Sequence, residues 1–74
     1  MNLTVKLFAT FQKGRFVKEQ REYPPGTSIR QIAEGLQLPV AEIGVTMVNG
    51  RHAELEHRPA PGDTVAIFPQ IGGG

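Results

Sequence analysis

Only one stretch of this chain carries a helical period, and it is short. Ile29, Ile32, Ala33 and Leu36 fall at i, i+3, i+4 and i+7, which makes one apolar stripe. Ser28 with Gln31 three residues later gives a capping-box pattern at its start. The run Pro24-Pro25-Gly26-Thr27 breaks the chain just before it. Elsewhere apolar residues alternate with a period of two, as in Leu3, Val5, Leu7 and again in Val65, Ile67. A lone amphipathic helix must bury its stripe, and the apolar faces on offer belong to strands. The expected architecture is α+β: one main helix packed across one face of a mixed sheet of four to five strands.

The remaining punctuation sets the element order. Gln12-Lys13-Gly14-Arg15 reads as a polar turn, followed by a charged strand over 17–23 with only one side buried. Pro39-Val40-Ala41-Glu42-Ile43 suits a single tight helical turn, with proline at its first position. Val45-Thr46-Met47-Val48 is a strand, and Asn49-Gly50 is a type I′ hairpin signal before a short strand over 51–55. Pro61-Gly62 fits the central pair of a type II turn. A last strand follows and stops at Pro69. The expected division is one domain over 1–69 and a flexible glycine tail over 70–74.

Composition narrows the chemistry. The chain has 74 residues and no cysteine. A chain of this size buries only about 60% of its unfolded surface, and no disulfide, thiolate nucleophile or cysteine-ligated metal is available to it. Its net charge is +1, with Lys and Arg interspersed among Asp and Glu. That is not the clustered basic stripe of a nucleic-acid binder, and Lys13, Arg15 and Lys18 are expected to form a small solvated basic loop. The first residues begin a strand without the long apolar run of a signal peptide or membrane span. A cytoplasmic location without membrane or nucleic-acid partners is the expectation.

Gln70-Ile71-Gly72-Gly73-Gly74 closes the sequence. Consecutive glycines prefer no single conformation, and a frayed end is the plain reading. Glycine also has a chemical use there. Without side chains, such a tail enters a channel too narrow for other residues, and its unhindered carboxylate can attack the α-phosphorus of ATP. The resulting acyl-adenylate then accepts sulfur or an amine. The chain has no phosphate-binding GxxxxGK[ST] loop, so ATP would be held by a partner.

Three segments carry a family resemblance. They are Lys6-Leu7-Phe8-Ala9, Val48-Asn49-Gly50, and Gly62-Asp63-Thr64-Val65-Ala66-Ile67-Phe68-Pro69 leading to the terminal glycines. Together, over essentially the whole chain, they resemble the small sulfur-carrier family of molybdopterin-synthase small subunits and thiamine-pathway carriers (MoaD/ThiS). The molybdopterin branch is the more similar, although Gly72 stands where that branch often has alanine. The resemblance implies a ubiquitin-like β-grasp fold and a carrier without catalytic side chains. It implies that an E1-like enzyme with ATP and magnesium adenylates Gly74, and that a sulfur donor converts the adenylate to a thiocarboxylate. Ile71, Gly72 and Gly73 would then insert into a molybdopterin-synthase large subunit or equivalent acceptor enzyme. A thiamine-pathway carrier, a protein modifier conjugated through Gly74, and a non-covalent β-grasp binding module are the alternatives.

Ordering Ile71 to Gly74 would cost about 4–8 kcal/mol of backbone entropy. Burying Ile71 returns only about 1.5–3 kcal/mol. A docked surface on the folded body must supply the rest. Phe8 and Phe68, which alternate away from the core-facing residues of their strands, are the candidates, with Pro69 beside them and Ala66 leaving room between the rings. The other possibility is that the loop 11–16 covers one or both. His52 and His57 lack the i, i+4 spacing of a helical metal pair. Glu54 and Glu56 would share a strand face but have no cleft between them, and Ser28, the only serine, is better used as a cap. No metal site and no catalytic residue is expected.

Overall fold

The computed structural model describes residues 1–70. Strand β1 (Asn2–Leu7) leads into a 3₁₀ turn (Ala9–Gln12), then β2 (Lys18–Glu22) and the helix α1 (Ile29–Gly35). A second 3₁₀ turn (Val40–Glu42) precedes β3 (Ile43–Val48), β4 (Arg51–His52) and β5 (Thr64–Pro69). The five strands form one sheet in the order β2-β1-β5-β3-β4. β1 and β5 run parallel at its centre, and the other pairs are antiparallel.

The alternation read from the sequence sorts the two faces. Leu3, Val5, Leu7, Val65 and Ile67 point one way and are buried with Ile29, Ile32 and Ala33 of α1. Phe11, Leu38 and Val48 complete that core. Thr46 also faces inward, and its buried hydroxyl donates to the Ala53 carbonyl, so the polar group is satisfied. β2 departs from expectation. Only Arg21 among its residues is even partly buried, because β2 is an edge strand with a neighbour on one side only.

A seven-residue helix leaves most of its backbone groups without intrahelical partners. Here the first four N–H groups are all accounted for. The capping box satisfies two: Ser28 N donates to Gln31 Oε1 at 2.9 Å and Gln31 N to Ser28 Oγ at 3.1 Å. Ile29 N donates to the His57 carbonyl at 3.0 Å and Arg30 N to the Leu55 carbonyl at 2.8 Å. This docking explains why β4 is two residues long rather than extending to 55. The chain leaves the sheet after Ala53 to serve the helix start, so Glu54 and Glu56 share no strand face. Glu56 instead accepts from Arg30 Nε at 2.7 Å.

The other end of α1 corrects the reading of Arg15. Its guanidinium crosses to the helix C-terminus, where Nε donates to the Leu36 carbonyl at 2.9 Å and Nη2 to the Gln37 carbonyl at 3.0 Å. It is a clamp on unpaired carbonyls and not part of a solvated basic loop. Gln37 sits at φ 60°, in the left-handed region that ends helices. Pro39 precedes the second 3₁₀ turn as its cap, one position earlier than expected.

The two turns beside the start of β5 are tied together. Asn49 (φ 52°) and Gly50 (φ 80°) are both left-handed, as a type I′ turn requires. Asp63 accepts from Asn49 Nδ2 at 3.0 Å and from Ala60 N at 2.9 Å, while Thr64 N donates to Asn49 Oδ1 at 2.9 Å. The Asn49 hydrogen bond first, then the Ala60 N–H and the charge of His57, hold the Asp63 carboxyl below the usual carboxylate range.

Two outcomes follow for stability. Arg15→Ala should destabilise the domain by about 1–3 kcal/mol in urea unfolding, since it strands the partly buried Leu36 carbonyl, whereas Lys13→Ala should stay within about 0.5 kcal/mol of the parent. Because the folded Asp63 carboxyl titrates below its unfolded value of about 3.9, its contribution is full above that value. It should be lost as pH falls through the depressed folded value. Asp63→Ala should therefore narrow its stability gap to the parent as unfolding is followed from pH 7 towards pH 2.

Candidate functional site

The outward face of the sheet carries the expected aromatic pair. Leu7 lies opposite Ile67 in the parallel β1–β5 ladder, so the next residues, Phe8 and Phe68, become neighbours on the solvent side. Their rings stack with centroids 4.0 Å apart and planes at 12°. The stack leaves no gap between the rings. Ala66 does not separate them but sits one row back, between Lys6 and Met47. The loop 11–16 does not cover them either. Phe11 is in the core and Phe16 packs against it, on the helix side of the sheet.

Around the stack lies a groove of about 600 Å³, lined by Phe8, Ala9, Val45, Met47, Phe68 and Pro69, with Gly44 and Gln70 at its end. Its surface is overwhelmingly apolar. Val45 is 42% exposed, a large share for a valine in a strand. Ala9, at φ 52°, holds a conformation that costs a non-glycine residue about 1–2 kcal/mol. It follows Phe8 directly and lines the same groove. Neither Met47, Val45 nor Ala9 was singled out in the sequence. The first two alternate with core residues as Phe8 does, which is the signal that would have found them; Ala9 carries none.

The groove ends where β5 ends. Gln70 N donates to the Glu42 carbonyl at 2.7 Å, and its side-chain Nε2 reaches the Ala41 carbonyl at 3.4 Å. Gly44 lies at a register irregularity of β3, between Ile43 paired with Pro69 and Val45 paired with Phe68. A Cβ on Gly44 would stand 2.9 Å from Gln70 Cα and 3.0 Å from the Pro69 carbonyl oxygen. Only glycine allows the end of β5 to lie this close to β3. Thus Gln70, expected to begin the flexible tail over 70–74, is instead held by a backbone hydrogen bond beside the aromatic groove. Ile71, Gly72, Gly73 and Gly74, expected to insert and react, lie outside the described residues.

His52 and His57 are both exposed and line one shallow hollow with Arg51 and Glu54, and among the described residues no group of three His, Asp or Glu side chains is placed to hold a metal. No helix among those residues is long and apolar enough to cross a membrane.

One helix across a five-stranded mixed sheet with parallel first and last strands defines a ubiquitin-like β-grasp domain. The chain belongs to the Mut7-C ubiquitin family, whose model matches residues 4–72. Among solved structures it is similar to a putative molybdopterin converting factor subunit 1 from Pyrococcus furiosus, with a TM-score of 0.73 and 26% identity over 96% of this chain and 99% of that one. It is similar to small archaeal modifier protein 1 from Haloferax volcanii, with a TM-score of 0.74 and 21% identity over 95% and 98% of the two chains. It also matches a chain of the complex of molybdopterin-converting factor subunits 1 and 2 from Helicobacter pylori, with a TM-score of 0.66 and 15% identity over 100% of both. No curated protein matches the sequence. The resemblance to the MoaD/ThiS family of ubiquitin-like sulfur carriers drawn from residues 6–9, 48–50 and 62–69 is met again in these matches.

Gly44→Ala should force the end of β5 away from β3. The expected cost is about 1–3 kcal/mol, typical of overpacking against backbone. Amide exchange should quicken at Gln70 while the α1 amides keep their relative protection.

Proposed function

We propose that this chain is a ubiquitin-like sulfur carrier that reacts through Gly74. The observation that carries the reading is the joint at residues 68–70. A strand from the centre of the sheet runs past an uncovered aromatic groove and is pinned by the Gln70 hydrogen bond to Glu42, two residues before the first of the terminal glycines. Groove and tail base are therefore presented together, as a partner must meet them if docking on the body is to offset the entropy of ordering the tail.

In this reading an E1-like partner holds ATP and magnesium. The Gly74 carboxylate attacks the α-phosphorus and pyrophosphate leaves. Hydrosulfide from the sulfur donor then attacks the acyl carbon of the adenylate, AMP leaves with the bonding electron pair, and loss of the proton leaves a thiocarboxylate. The carrier contributes the carboxylate and the docking face, and the partners contribute the catalytic side chains. Likeness to molybdopterin converting factor subunit 1, solved in one case with subunit 2, supports an acceptor of the molybdopterin-synthase type. Likeness to an archaeal modifier protein supports the second reading, conjugation of Gly74 to amines of other proteins.

Intact mass spectrometry after incubation with the cognate activating enzyme, ATP and a sulfur donor separates these. An oxygen-to-sulfur mass gain on a chain ending at Gly74 is expected. Isopeptide bonds from the Gly74 carboxyl to lysines of other proteins would favour conjugation. Removal of Gly74 should abolish either product without unfolding the domain, and retained product would defeat the mechanism. Phe8→Ala should cost the free domain only about 0.5–1.5 kcal/mol, the usual worth of a ring pair, yet raise the carrier concentration needed for half-maximal activation about tenfold.

A further inference from the structure

The sheet register sorts charge in a way the linear sequence hides. Across the outward face, one row runs Lys18, Lys6, Ala66, Met47, His52, as fixed by the β2–β1, β1–β5, β5–β3 and β3–β4 pairings. The next row holds Phe8, Phe68 and Val45. Neither row contains a carboxylate, although the chain has seven. Glu34 is on α1, Glu54 and Glu56 are in the loop serving its start, and Glu42 is in the turn before β3. Asp63 is in the 60–63 turn, Glu19 lies opposite core-facing Val5, and Glu22 lies opposite Asn2 at the far end of β1.

Lys6 and Lys18 are the informative pair. They stand directly opposite each other on adjacent strands, where like charges repel and destabilise a sheet. Neither ammonium has an ion-pair partner among the described residues. A carboxylate presented from outside would sit between two cations and remove that repulsion, while the apolar part of the same surface filled the groove.

We infer that the outward face docks a protein surface with an apolar centre and at least one carboxylate on the flank that meets Lys6 and Lys18. This rests on the carrier reading for the identity of the partner, which is the activating enzyme. The acidic flank adds attraction at long range and fixes the orientation in which the groove, and hence the Gly74 tail, is delivered.

The test is ATP–pyrophosphate exchange by the cognate activating enzyme as a function of carrier concentration, for the wild type, Lys18→Glu and the control Lys13→Glu. Lys18→Glu should raise the KM for the carrier about tenfold, leave kcat unchanged and flatten the dependence of KM on salt. It should also raise the melting temperature of the free carrier, because Lys6 then faces an opposite charge; a merely structural role for Lys18 would lower it. Lys13→Glu should match the wild type. Equal KM values for wild type and Lys18→Glu would overturn the inference while leaving the carrier reading intact. No exchange with wild type at all would overturn the carrier reading and this inference with it. Binding of the wild type to phosphatidylserine vesicles or single-stranded DNA at physiological salt, abolished by Lys18→Glu, would reassign the lysine pair to a different class of partner.

Discussion

The parallel pairing of β1 with β5 decides most of what this molecule can do. It joins the two ends of the chain at the centre of the sheet, with Val5 opposite Val65 and Leu7 opposite Ile67. Inward, those four residues form the floor on which α1 packs. Outward, the same register makes Phe8 and Phe68 neighbours, though they are sixty positions apart in sequence. Because β5 is central, the strand that carries the terminal glycines leaves from the most firmly held part of the sheet rather than from an edge.

A domain this small has little core to spare for an unsupported helix, and α1 is only two turns long. Its ends are held by segments from elsewhere. Carbonyls of residues 55 and 57 take the first amides, and Arg15 takes the last carbonyls. Stretches that look like irregular connections are therefore part of how the helix is stabilised. The same contacts keep the loop 11–16 on the helix side of the sheet and so leave the opposite face uncovered.

That uncovered face has an internal logic. Its apolar residues gather at the end where β5 finishes, and its lysines gather on the β1–β2 flank. Gly44 lets β3 and the end of β5 approach within backbone contact, which fixes Gln70 relative to the groove. The aromatic groove and Gln70 are consequently held together by the sheet.

Much of this was legible in the residues. The capping box at Ser28, the type I′ turn at Asn49-Gly50, the helix stripe and the strand alternation are local patterns, each set by steric or hydrogen-bonding rules that act within a few residues. They were enough to establish one helix on a mixed sheet and to pick out Phe8 and Phe68 as facing away from its core. The role of Arg15, the early end of β4, the stacking of the two rings, the need for glycine at 44 and the facing lysines were not legible. Each depends on which distant segments lie side by side, and periodicity does not encode strand order. Local pattern sets the helix, the main strands and the way their side chains alternate; which outward residues meet is set by the sheet, because that follows from pairing strands far apart in the chain.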